Sequence, residues 1–175
     1  MKTQMNPMYT KNKLSVVFSA LVLVALSSCG KVPSAYQGTY LDQVSGSKLE
    51  LNGQEGKFTE ASGREITAKA DSAQFDALAQ AKPGLYTRSV AGDDKTMEFF
   101  WVIPEVASRQ ENTGFVWFNA EILYTRMQTK EKDPVPSISV AHCRNGVLLL
   151  DTPTKTWNGG CGADAVPMTF NRVKQ

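Results

Sequence analysis

The sequence predicts a mainly β fold, an antiparallel β-barrel or β-sandwich with one short helix, in a single domain spanning residues 36–175. Three observations carry this. About eight to ten short segments of strand character follow one another, separated by turn-forming residues. Only one stretch has helical periodicity, so consecutive strands must be joined by hairpins and not by helical crossovers. The composition, 42% hydrophobic and 21% charged, is that of a globular chain with one core.

Thr39–Leu41 and Lys48–Leu51 read as short strands, with turns at Ser45-Gly46-Ser47 and Asn52-Gly53. Gly56–Ala61 and Arg64–Ala70 form a second extended pair about Ser62-Gly63. The helix follows: Asp71 or Ser72 caps it, Phe75, Leu78 and Ala79 share one face, and Lys82-Pro83-Gly84 stops it. It is expected to cover an open edge or end of the sheet.

The strongest strands come next. Leu85–Val90 turns through Ala91-Gly92-Asp93-Asp94 into Lys95–Ile103, where Met97, Phe99, Trp101 and Ile103 occupy one face and Phe100 and Val102 the other. Both faces are apolar, so both should be buried. Gly114 opens a run to Thr129 with Val116, Phe118, Ala120, Ile122 and Tyr124 on one side, and Trp117, Asn119, Glu121, Leu123 and Thr125 opposite. Beyond the break at Asp133–Pro136, Ile138–Cys143 and Val147–Asp151 flank Arg144-Asn145-Gly146, and Asn-Gly predicts a tight hairpin there. Met168–Val173 closes the series.

The first 28 residues differ from all of this. A basic, polar stretch runs to Lys13, an apolar run covers Leu14 to Leu26, and Ser27 and Ser28 precede Cys29. A membrane-spanning helix needs roughly 20 apolar residues, and this run is shorter. Its layout is that of an export signal. Leu26-Ser27-Ser28-Cys29 resembles the lipobox of bacterial lipoproteins. The resemblance implies a signal peptide at 1–28, a lipid anchor of acyl chains such as palmitate on Cys29, and a tether at 29–35. It also implies a cell-envelope location facing the periplasm: with Gly30 in the second mature position, this is the outer membrane if the cell is Gram-negative. Each buried acyl methylene contributes about 0.8 kcal/mol, so membrane lipid becomes a permanent partner.

Two consequences follow. Removing Lys2, Lys11 and Lys13 leaves sixteen basic residues against seventeen acidic ones, a balance with no footprint for nucleic acid. With Cys29 lipidated, Cys143 and Cys161 remain as a pair in an oxidising compartment, where a disulfide is expected. A metal or thiol site with His142 is the competing arrangement. Neighbours on a strand point to opposite faces, which sets His142 and Cys143 apart.

Gly38-Thr39-Tyr40 resembles the Gly-x-Trp opening of lipocalins and other calycin barrels, with Tyr40 in place of the tryptophan. Arg172 sits where such barrels keep an arginine on that ring, a cation–π contact worth about 0.5 to 2 kcal/mol. The resemblance implies a cup for a small hydrophobic ligand.

Enzyme and cofactor motifs are missing: there is no Gly-x-Ser-x-Gly elbow, no His-Glu-x-x-His, no phosphate loop, and a single histidine. Asp93 and Asp94 read as turn formers, and Gly159-Gly160-Cys161-Gly162 as a flexible turn at the disulfide. No metal site and no catalytic residue is assigned. Trp101, Trp117, Asn119 and Glu121 are the candidate ligand-binding residues, on two apolar strands of which one carries a polar stripe. The expected role is non-enzymatic binding of a small apolar molecule, with an envelope protein as the alternative partner, met through an exposed loop such as Glu105–Thr113 or Lys130–Pro136.

Overall fold

The computed structural model describes residues 30–71 and 74–174. The leader and Cys29 lie outside the described residues, as does Ser72. Eleven strands form one antiparallel sheet: β1 (Gly38–Leu41), β2 (Lys48–Leu51), β3 (Glu55–Thr59), β4 (Glu65–Lys69), β5 (Gly84–Val90), β6 (Asp93–Pro104), β7 (Gln110–Asn112), β8 (Phe115–Gln128), β9 (Ser137–Asp151), β10 (Thr156–Gly160) and β11 (Val166–Arg172). The sheet runs β4-β3-β2-β1-β11-β9-β8-β6-β5, while β10 pairs with β9 and β7 with β8.

It curls into a barrel that is nearly closed. The seam between β4 and β5 carries one parallel bridge, Ala70 to Leu85. The helix α1 (Gln74–Ala79) stands beside this seam. Its Gln74 amide accepts from the Thr87 N–H at 2.8 Å and donates to the Thr87 hydroxyl at 2.9 Å, satisfying the β5 edge beyond that bridge.

Two hydrophobic cores result, one on each side of the β5-β6-β8-β9 wall. Tyr40, Leu49, Phe58, Ile66, Leu85, Phe99, Trp101, Leu123, Val140 and Phe170 fill the barrel. Outside it, Tyr86, Phe100, Val102, Phe118, Ile122, Leu148 and Leu150 pack with Leu78 of α1. The two apolar faces of Lys95–Ile103 are therefore buried in different cores. Trp157 of β10 meets Phe100 at 5.1 Å and Tyr86 at 6.3 Å, so the β7–β10 end of the sheet folds back over the wall as a flap.

The Asn145-Gly146 hairpin expectation is corrected. Residues 137–151 form one strand, and a bulge stands where the turn was placed: Ala120 faces Gly146 but Ile122 faces Cys143. Gly146 is used for close approach, since a Cβ there would lie 2.5 Å from Ile122 Cδ1 and 3.0 Å from Cys143 Sγ. The extra residue inverts the alternation of the strand. Ile138 and Val140 thus enter the barrel, whereas Cys143, Leu148 and Leu150 all reach the outer core.

Gly159 and Gly160 belong to strand β10, not to a flexible turn. Leu148 Cδ2 approaches Gly159 so closely that a Cβ there would fall 2.6 Å away, so the glycine lets a large core side chain lie over the neighbouring strand. Asp93 and Asp94 open β6. Cys143 and Cys161 are disulfide-bonded with Cα atoms 5.6 Å apart, fastening the bulge to the β10–β11 loop.

Residues 31–35, expected as a tether, are seated on the barrel. Val32 and Ala35 are buried in the inner core. Arg172 locks the base: it donates to the carbonyls of Ala35, Gln37 and Val135, and its guanidinium lies 4.8 Å from the centre of the Tyr40 ring.

Candidate functional site

The rim opposite this base is where charged side chains gather. Three local features put them there. The β3–β4 turn carries Glu60 and Arg64, and its tightness comes from Gly63 at φ 87°. Glu121 stands on β8 opposite the bulge, where that strand reaches the rim, and His142 stands on β9 across from Leu123, just before the bulge. Arg144 and Asn145 then project from the bulge itself.

His142 Nε2 lies 2.8 Å from Glu121 Oε1, and the Phe58 ring meets the imidazole edge-on at 5.3 Å, fixing its orientation. Arg64 reaches across the barrel mouth to both oxygens of Glu121 and donates to Glu60 Oε1 at 3.0 Å. Arg144 donates to the same Glu60 oxygen at 3.2 Å, and the Ser62 hydroxyl donates to Glu60 Oε2. Burial pushes the Glu121 carboxyl up, but hydrogen bonds from Arg64 and His142 outweigh it and hold the group below the ordinary glutamate value. Ligand atoms of Glu60, Glu121 and His142 lie within 4.8 Å of one another, close enough to share a metal ion. Both carboxylates already hold guanidinium groups, so a cation would have to displace Arg64 first.

Beside this network lies a groove of about 600 Å³. Phe58, Val166 and Met168 form its apolar side, while Ser45, Ser47, Asn145 and Asp164 form its polar side with Arg144. The disulfide shapes it, because Cys161 begins the segment that delivers Asp164 and Val166.

The candidate ligand-binding residues do not converge. Trp101 is buried inside the barrel, and its indole N–H has no hydrogen-bond partner among the described residues. Trp117 is half-buried on the outward side of the flap opposite Gln110, and Asn119 is exposed. Glu121 alone reaches the rim network. Thr125, from the same polar stripe, is buried and donates to the Ser139 carbonyl at 2.7 Å. His142 and Cys143 do point to opposite faces, His142 toward Phe58 and Cys143 into the outer core. Sequence reasoning missed the convergence of Glu60, Arg64, Glu121, His142 and Arg144. The strand register that joins them is set by long-range pairing, and the polar stripe on Gly114–Thr129 was the only local signal.

A second carboxylate network lies on the outer face. Glu98 accepts from Arg88 Nε at 2.7 Å, Arg126 Nη2 at 3.0 Å and the Tyr124 hydroxyl at 2.8 Å. Burial again pushes it up, and these bonds hold it below its ordinary value. No protein-family model, no curated protein and no solved structure matches this chain.

Proposed function

We propose that the protein is an envelope lipoprotein, anchored by acylated Cys29, whose barrel is a non-catalytic binding module that receives its ligand at the rim. The observation that carries this is the placement of the open groove at the end of the barrel opposite Tyr36, Gln37 and Arg172, where the N-terminal segment is fastened. Gly30, beside the proposed anchor, lies against Thr87 of β5 and Gln74 of α1, on the seam side of the barrel, whereas the groove is lined from β3, β9 and β11, so an anchor there leaves the groove clear of the attachment point. Binding without catalysis accords with the state of Glu121: general-acid chemistry needs a carboxyl that keeps its proton near neutrality, and Arg64 and His142 hold this one ionised.

Two other occupants have an observation in their favour. A small hydrophobic ligand would have to enter the barrel, where the unpartnered Trp101 N–H would be its polar contact, and would displace side chains that now fill the space. An envelope protein would find Phe115, Val147 and Leu149 exposed on the outward side of the flap.

The test is mass spectrometry of the protein extracted from its native membrane. Intact mass is expected to show loss of residues 1–28, acyl chains on Cys29 and an oxidised Cys143–Cys161 pair. A full-length chain with three free thiols would remove the anchor and the envelope location together. Under native conditions, a co-purified fatty acid would favour the barrel interior over the rim.

A further inference from the structure

The rim groove contains hydrogen-bonding groups that the fold leaves unused, and their chemistry narrows what it can hold. Ser47 lines the groove with a hydroxyl that makes no hydrogen bond among the described residues and stays open to solvent. Such a hydroxyl can exchange its water for a ligand atom at little cost. Arg144 uses one nitrogen, Nη2, on Glu60, while its side chain is 68% exposed and its Nε and Nη1 remain open. The Asn145 amide and the Asp164 carboxylate also have no side-chain partner among the described residues.

Open donors and an open acceptor thus lie together, and charge decides between ligand classes. Glu60, Glu121 and Asp164 face Arg64 and Arg144, leaving a surplus of one negative charge with His142 set aside. That surplus disfavours phosphates and carboxylates. A neutral ligand that both donates and accepts, and that has an apolar side to lay on Phe58, Val166 and Met168, fits these constraints. We infer that the groove takes a neutral saccharide, its hydroxyls meeting Ser47, Arg144, Asn145 and Asp164 and its C–H side meeting the apolar wall. A volume of about 600 Å³ is within the usual range for ligand sites and has room for more than one sugar ring.

This rests on the reading of the barrel as a rim-binding module, and the experiment separates the two. Saturation-transfer NMR on the full chain in a zwitterionic detergent uses cellotriose and chitotriose as neutral probes and gluconate as the anionic one. Transfer to a trisaccharide and none to gluconate is the expected result. Arg144→Ala and Asn145→Ala, both exposed, and Ser47→Ala should each weaken binding about fivefold, the effect of one lost hydrogen bond, with melting unchanged for the two exposed positions. The saccharide is overturned if neither trisaccharide binds, if binding survives Arg144→Ala combined with Asn145→Ala, or if gluconate binds as well. Cleavage of the bound trisaccharide would instead uphold the saccharide and remove the non-catalytic reading.

Discussion

Glu98 and Glu121 occupy comparable settings, each a carboxylate withdrawn from water and held by arginine, but they differ in what surrounds them. Around Glu98 the donors turn inward on the protein: Arg88 bonds Glu98 and Asn158 with all three nitrogens while lying over the Phe100 and Trp157 rings, and Arg126 bonds Glu98 and Tyr124, leaving only its Nη1 to solvent. Around Glu121 and Glu60 the ions are matched, yet Ser47, Arg144, Asn145 and Asp164 keep bonding capacity at a groove. The first network fastens the flap to the barrel wall, because Arg88 bridges β5 and β10. The second closes the barrel mouth and leaves a surface that something else can satisfy. Charge alone does not separate a structural cluster from a binding one; unsatisfied hydrogen-bonding groups do.

The disulfide supports both regions and should matter most. Replacing Cys143 and Cys161 by alanine opens a loop of 18 residues and is expected to cost about 3 kcal/mol in urea unfolding. A cost near zero would mean that the flap and the groove wall are held without it. Glu98→Gln comes next, at about 2 kcal/mol, because the side chain of Glu98 is 7% exposed and two guanidiniums lose their ion partner.

Glu121→Gln should cost less, about 1 kcal/mol, since Arg64 is 42% exposed and can turn to water or keep Glu60. If the two glutamine variants were equally destabilised, the distinction between a closed and an open network would fail. Acid should act on both. Each carboxyl titrates lower in the folded chain than in the unfolded one, so its contribution is complete above the ordinary value of 4.5 and is lost as the pH falls through the folded value. The urea midpoint should therefore hold steady from neutrality to about pH 5 and decline below it, and a rise on acidification would contradict the ion pairing. Arg144→Ala is expected to leave stability within about 0.5 kcal/mol, as for an exposed surface position. A larger loss would make this arginine part of the structural network.

Much of the fold was legible because strand alternation is a local property. The two apolar faces of Met97–Ile103 announced a strand buried on both sides, and the opposite faces of Leu123 and Ile122 were assigned correctly. Two signals misled, both involving glycine. Asn145-Gly146 has the composition of a hairpin turn, but a glycine also permits close packing, and only the neighbours of β9 show which use applies. Gly159-Gly160 read as a loop for the same reason.

The sequence by itself determined the alternation of the strands and the mainly β class, because each depends on residue type and spacing along the chain, while the pairing of Cys143 with Cys161 and the contact of Arg172 with Tyr40 were expected from the lipobox and calycin resemblances. Tertiary structure decided that the long strands fold back to make a second core, that a bulge replaces a turn, and that Glu60, Arg64, Glu121, His142 and Arg144 meet at one rim. Those outcomes depend on register between strands tens of residues apart, which is fixed by the mutual burial of whole faces and not by any short segment alone.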